Sequence, residues 1–548
     1  MLDLLLTGAE VHDGGGREAE RVDVAVRDGR IEAVGRLGGA RARRSLRLEG
    51  LALAPGFIDP HSHADLILVQ EESAARDLLA GRVRQGITTA LVGNCGMGAA
   101  PVTPRTEPVL RSLNGWMAPA DVPWPWTDLA GYLDALEGRG LPLNVGALQA
   151  HGPLRLEAAG AGPGAVPPDG VRAMRRRVRA AFDAGAFGLS AGLIYPPGMY
   201  ADTAELIELA REAAACDRVF ACHVRGSSEL LLPAVDELIT VGRVAGCRVH
   251  HSHSEAVGRE HWGKIEEVLA RERRARAGGV RLSHDLFPYH AAATMMAALF
   301  PPRALAGGIE ALIARLRVPA ERDEIRRELE DAIPAWPPWT AGGWPHNLAR
   351  AVGWGSIRVA SVGGAPDVDG VLGHDLATLA ERRGARPFDQ VADLMIRHGG
   401  NVGQLLFGIT GDEEDPSPMR LLISDPWGAF CTDAEELGRG LPHPAAYGAF
   451  PRILARWVRE RRALALPEAI RRMTSLPAEI FGIRDRGRIA AGCWADLVAF
   501  DPAGVTDRAD FSEPRRPPAG IPHVFVSGCA VVEDGRYLGT PAGAVLRR

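Results

Sequence analysis

The chain has 548 residues, 46% of them hydrophobic and 24% charged, with a formal net charge of -5. That length admits one large domain with a smaller companion, or two to three domains, and the charge balance argues against nucleic acid as a partner. No apolar run approaches the ~20 residues of a membrane span, no charged-then-apolar leader opens the chain, and the seven cysteines lack CxxC spacing, which argues against a membrane protein or a disulfide framework. The expectation is a cytoplasmic protein, with a homo-oligomer left open. Residues 1–54 read as short β pieces (Leu4-Leu5-Leu6, Val22–Val26, Arg30–Val34, Leu46-Arg47-Leu48), several of them separated by Gly and Asp turns. Residues 484–548 repeat that pattern with Ala495–Asp501, His523–Gly528 and Ala530–Gly535. Neither piece is large enough to stand alone, so a small β-sandwich formed from both chain termini is expected.

Between them, apolar strand-like runs alternate with helical stretches, which is the signature of a parallel sheet or barrel. The first run, Leu53 to Ile58, leads into His61-Ser62-His63. Residues i and i+2 of an extended chain point the same way, so these two imidazoles are expected to project together. Later runs are Thr88–Gly93 ending in Asn94-Cys95-Gly96, Leu143–Leu148 ending near His151, and Phe187–Ser190 leading to Tyr195. They continue with Val219–Cys222 ending in His223, Cys247–His253, and Val280–Asp285. Residues 290–418 break the rhythm and carry helices of their own near 308–331 and 373–399, so they read as an insertion between strands seven and eight that could cover a site. An eighth strand is expected at Leu421-Leu422-Ile423-Ser424, ending in Asp425. The resulting fold is α/β: a (β/α)8 TIM-like barrel over 55–483, with catalytic residues at strand C-termini.

Strand ends then carry His61, His63, Cys95, His223, His253 and Asp425. Singly, each has a bland reading as a hydrogen-bonded or apolar core residue. Converging at one barrel mouth, they offer N, S and O donors suited to Zn²⁺. Strand alternation also puts His251 on the face of His253 and turns His250 toward the helices, making His251 a spare ligand.

These motifs resemble the amidohydrolase superfamily, and within it the N-acyl-D-amino-acid deacylases. The likeness rests on Pro55-Gly56-Phe57-Ile58-Asp59 with His61-x-His63, on Gly93-Asn94-Cys95-Gly96, and on Gly192-Leu193-Ile194-Tyr195-Pro196-Pro197-Gly198. It extends through His223-x-Arg225, Ser252-His253, Asp285 with Pro288-Tyr289, Ser424-Asp425, and His443-Pro444. The resemblance implies a tight zinc on Cys95, His223 and His253, and a second, weaker site on His61, His63 and Asp425, with Cys95 able to bridge. Many binuclear relatives bridge their metals with a carboxylated lysine on a barrel strand. The chain's only lysine, Lys264, falls at a helix start, which leaves the thiolate as the available bridge. Metal-activated water, with Asp425 as general base and acid, would then cleave an amide of an N-acylated small molecule.

Tyr195, Arg225, Glu255, Tyr289, Arg303 and His151 are the expected substrate-binding residues, with His151 and His443 also open to structural roles. Glu255 stands where the deacylases commonly carry a lysine, and a carboxylate there repels a carboxylate substrate. Arg225 or Arg303 is therefore the expected carboxylate partner, unless the substrate is not a simple N-acyl amino acid. Two other functions are weighed: a cyclic-amide hydrolase of the dihydroorotase or hydantoinase kind, against which the Cys95 element and the missing strand lysine count, and a non-catalytic scaffold, which needs none of the ligands.

Overall fold

The computed structural model describes residues 1–118, 122–337, 343–363 and 370–548. Its centre is built from parallel strands β1 (Phe57–Asp59), β2 (Ile87–Val92), β3 (Asn144–Ala147, continued at Gln149–Ala150), β4 (Gly188–Gly192), β5 (Val219–His223), β6 (Arg248–His251), β7 (Leu282–Leu286) and β8 (Gly428–Phe430). They form a three-stranded sheet, β3-β2-β1, and a six-stranded sheet that runs from the continuation of β3 through β4 to β8 in order. Leu148 joins them, because its N–H bonds to Val92 O while Gln149 and Ala150 already pair with β4. Beyond β1 and β8, the Asp433 N–H donates to His61 O at 3.0 Å and the His63 N–H to Ala434 O at 3.3 Å. Apart from the half-buried Arg248 that begins β6, these strands are buried, as parallel strands covered on both faces are. Helices including Glu72–Arg84, Pro168–Asp183, Thr203–Ala215, Leu231–Ala245 and Lys264–Ala277 connect them.

Strands from the two ends of the chain meet directly. Ala52–Pro55 pairs antiparallel with Leu497–Phe500, inside a seven-stranded sheet that draws on residues from both termini. A four-stranded sheet from residues 2–47 packs nearby through Leu4, Leu6, Val24, Val26 and Ile31 against Leu53, Leu497 and Phe525.

The expected eighth strand is corrected. Leu421–Ser424 lies in a helix, Ser417–Ser424. Pro418 starts it, and Met419, Leu422 and Ile423 are buried at helical spacing while Leu421 is exposed. The strand follows at Gly428–Phe430 and pairs with β7. Between β7 and β8, Ala291–Met295, Val402–Phe407 and Ile357–Val362 form an antiparallel three-stranded sheet that the helical reading of this segment overlooked. Among the described residues no helix is long and apolar enough to cross a membrane.

Candidate metal centre and active site

The site gathers where the strands end. Pro60 terminates β1, and His61 and His63 both turn inward: His61 Nε2 lies 3.2 Å and His63 Nε2 3.3 Å from one oxygen, Asp433 Oδ1. Cys95 Sγ is 3.2 Å from His61 Nε2, 3.5 Å from His253 Nε2 and 3.8 Å from His223 Nδ1. Ligand-capable atoms of His61, Cys95, His253 and Asp433 all fall within 4.8 Å of one another.

The local sequence explains how Cys95 gets there. A Cβ at Gly192 would collide with the Cys95 carbonyl, and one at Gly93 with the Leu148 carbonyl, so both glycines admit the Cys95 loop against neighbouring backbone. Asn94 Nδ2 ties the loop to Leu91 O at 3.0 Å, and the Gly96 N–H bonds to Ser190 Oγ at 3.1 Å. Cys95 (φ 52°), His253 (φ 35°) and Asp433 (φ 45°) all sit in the left-handed region. Such residues cost about 1–3 kcal/mol each and gather where function demands a direction.

Asp285, on β7, organises the histidines from behind. Its Oδ2 is 3.1 Å from His61 Nδ1 and 2.8 Å from His250 Nε2, while Oδ1 accepts the His253 N–H. A His61 ring donating Nδ1–H to this carboxylate turns its Nε2 lone pair toward Cys95 and Asp433, the usual carboxylate–imidazole arrangement behind a metal ligand.

The electrostatics fit a cation. Burial opposes charge on His63 and His253, yet the surrounding anions outweigh it and push each up to about 10; Asp433 leads for both, with Cys95 next. Burial likewise opposes ionisation of Cys95, but His61 and His253, with hydrogen bonds from His223 and His253, hold the thiol well below its ordinary value. Burial raises Asp433, and His61 and His253 more than offset it, leaving its pKa lowered. An enclosed thiolate and carboxylate that pull protons onto their imidazoles have the charge a divalent metal would neutralise, and the N, S and O donors match zinc.

A pocket opens onto this cluster. Its walls include Met97, Trp116, Ile194, Tyr195 and Glu255, together with Thr294, His346, Leu348 and Leu406 from the segment between β7 and β8. Burial, then Cys95, raises the Tyr195 phenol well above its ordinary value, so it stays protonated, and its hydroxyl is 2.9 Å from Thr294 Oγ1. Burial, more than the opposing influence of His253, raises Glu255 to about 7.

The structure brings together His61, His63, Cys95, His223 and His253, but not Asp425. Asp425 precedes β8 and so sits at the opposite end of that strand. There its Oδ1 accepts the Trp427 N–H at 3.1 Å, and Arg276 lies 3.8 Å away. The carboxylate at the site is Asp433, at the far end of Gly428–Phe430. The overlooked signal was the short apolar run Gly428–Cys431, which is followed by Thr432-Asp433.

The arginine expectations are also corrected. Arg225 is buried and forks onto Glu237 at 2.9 and 3.0 Å, with a further bond to Met199 O. Arg303 is on the surface, bonded to Glu328 at 2.9 Å. Neither lines the pocket. Tyr289 packs edge-on against His443 and beneath Arg452, outside the pocket lining. His151 bonds to Glu205 at 2.8 Å, and His443 to Ala291 O at 2.9 Å, so both brace the fold. The strand-six parity is reversed: His250 meets Asp285, whereas His251 turns out to Glu272 on the helix Lys264–Ala277. Alternation holds only through His251, and the turn at Ser252-His253 then swings His253 inward.

The amidohydrolase family model matches residues 47–286 and 356–532. An N-acyl-D-glutamate deacylase of Alcaligenes xylosoxydans xylosoxydans is 36% identical, covering 100% of this chain and 97% of the relative. A D-aminoacylase of the same organism is 30% identical, covering 100% and 98%. Among solved structures, N-acyl-D-glutamate deacylase from Bordetella bronchiseptica, complexed with zinc and a phosphonate inhibitor, superposes with a TM-score of 0.80 at 33% identity over 100% of both chains. A D-hydantoinase from Thermus, at 14% identity and a TM-score of 0.55 over 100% of this chain and 99% of its own, shares the fold alone. Family match, full-length relatives and a cysteine-centred cluster at the strand ends agree: the chain belongs to the amidohydrolase family.

Proposed function

We propose that this protein is a zinc-dependent amide hydrolase of the deacylase type, releasing an amine from an N-acylated, D-configured amino acid or related N-acyl compound. The observation that carries the reading is the cluster itself: Cys95, His61, His253 and Asp433 within 4.8 Å, at the floor of a pocket. The two parallel sheets are taken as one closed (β/α)8 barrel, supported by the backbone bonds joining His61 and His63 to Asp433 and Ala434. Residues 1–54 and 484–548 are taken as one β-sandwich beside it.

Cys95, His223 and His253 would hold one zinc tightly, with His61, His63 and Asp433 available to a second and Cys95 shared. A zinc held there would supply polarisation of the scissile carbonyl and a lowered pKa for the attacking water. Asp433 is the general base. It takes the proton as the water oxygen bonds to the carbonyl carbon, then delivers it to the nitrogen as the C–N bond breaks. Tyr195, kept protonated by burial, can donate a hydrogen bond to the developing oxyanion. Walls from the segment between β7 and β8 hold bulk water away.

Elemental analysis and amine release from N-acetyl-D- and L-amino acids, for wild type, Asp433→Ala and Asp425→Ala, test this. About one to two zinc per chain are expected. D-selective release should fall about 10²- to 10⁴-fold in Asp433→Ala and persist in Asp425→Ala. A protein that binds no zinc, or an Asp433→Ala variant with full turnover, overturns the mechanism.

A further inference from the structure

The pocket beside the metal cluster has an unusual charge. Among its described lining residues there is no lysine or arginine, and the residues outside the described ranges (119–121, 338–342 and 364–369) include neither type. The arginines that sequence reading offered as carboxylate partners are engaged elsewhere, Arg225 with Glu237 and Arg303 with Glu328. His346 is no substitute. Its Nδ1 accepts the Ser227 N–H at 3.1 Å, so the ring is not doubly protonated. What faces the pocket instead is a carboxylate, Glu255, 9% exposed, whose charged neighbours are His253, Asp433 and Cys95. The anions Cys95 and Asp433 are the ones a bound metal neutralises. Glu255 stands 3.7 Å from His253 Nδ1, too far for a hydrogen bond, with the Ser227 side chain beside it. Apolar side chains, among them Met97, Trp116, Ile194, Leu348, Leu406 and Ile409, share the wall with the neutral Tyr195 and Thr294 hydroxyls.

Resting on the hydrolase reading above, we infer that the amine half of the substrate carries no free carboxylate and presents an N–H-bearing group, carboxamide or ammonium, to Glu255, with an apolar body against Trp116 and Ile194. A carboxylate in that place would meet the Glu255 carboxyl with no lysine or arginine among the described lining residues to pair with it. A carboxamide offers its NH₂ to Glu255. Glu255 is thus a specificity residue, and it separates this chain from what the names of its acidic-substrate relatives would suggest.

The test pairs N-acetyl-D-leucinamide and mono-N-acetyl-1,4-diaminobutane with N-acetyl-D-leucine and N-acetyl-D-glutamate. Wild type and Glu255→Lys are compared, with zinc content measured for each. The carboxylate-free compounds should exceed the acids in kcat/KM by about tenfold or more, because the wrong group leaves a buried partner unpaired. Glu255→Lys should reverse that order through KM while zinc content holds. The carboxamide outperforming the diamine derivative, or the reverse, tells which N–H group is read. Acids preferred by wild type overturn the inference and leave the hydrolase reading standing. So does a Glu255→Lys variant that loses zinc and slows on every compound alike, since Glu255 then only orients His253. If nothing turns over, the hydrolase reading fails, and calorimetric binding of the same compounds to zinc-loaded protein still decides: acids bound as tightly as amides overturn the inference.

Discussion

At the scale of single residues, the chemistry rests on which atoms are left pointing inward. His61 was legible from its spacing to His63, but its direction is set by Asp285, which the sequence offered only as part of a motif. That carboxylate holds His61, His250 and the His253 backbone at once. Its pKa lies well below the ordinary carboxylate range: burial opposes this, and His61 and His250 more than offset it. Asp285→Asn keeps the shape and removes the charge. It should weaken zinc affinity about 10- to 100-fold, read by competition with a chelator, with activity returning at excess zinc. A variant with unchanged affinity would show that His61 is oriented by packing alone. Asp425 illustrates the opposite lesson. A carboxylate after an apolar run suggests a strand end, but Met419, Leu422 and Ile423 are spaced for a helix, and the run that becomes β8 is only three residues long.

At the scale of elements, close backbone approach and buried ion networks fix how strands meet their neighbours. Gly192 ends β4 directly against the Cys95 carbonyl. Gly192→Ala should displace the Cys95 loop, costing about 1–3 kcal/mol and lowering zinc content; a variant with normal zinc and thermal midpoint would refute this account of the glycine. Behind β6 and β7, Glu272 receives His251 at 2.9 Å and His284 at 3.0 Å, pinning the helix Lys264–Ala277 to the sheet. Burial raises the Glu272 pKa, but His284 and His251 outweigh it, so it lies below its ordinary value of 4.5. A depressed folded-state pKa stabilises above the unfolded value, and that stability is lost as pH falls below it. Glu272→Gln should therefore cost about 3 kcal/mol at neutral pH. The gap in thermal midpoint between wild type and variant should narrow below pH 4.5; a gap constant from pH 7 downward would show that Glu272 is not the charged partner. Parity counting misassigned His250 and His251 because a turn, not a strand, carries His253.

At the scale of the whole molecule, the two chain ends complete structures begun far away. Val145 on β3 donates to Ala544 O at 2.9 Å and accepts from the Leu546 N–H at 2.7 Å, while the Arg548 N–H reaches Gly185 O. The tail thus supplies a partner for β3 before β4 begins. Deleting residues 543–548 leaves the buried Val145 N–H and C=O unpaired, at about 1–3 kcal/mol each. Calorimetry should show a clearly lower thermal midpoint. An unchanged midpoint would mean that the tail merely rests on the surface.

Read alone, the sequence placed the first seven strands in order, and it marked His61, His63, Cys95, His223 and His253 at strand ends. Each of these follows from local periodicity or from a motif within a few residues. The tertiary structure alone decided that Asp433 and not Asp425 joins them, that Asp285 aims the imidazoles, that Arg225 is consumed by Glu237, and that Glu255 faces a pocket without cations. Those facts depend on which groups meet in space, some a dozen residues apart, as Arg225 and Glu237 are, and others more than 200 apart, as His61 and Asp285 are. Charge pairing and close packing select such meetings in three dimensions, and residue spacing does not encode them.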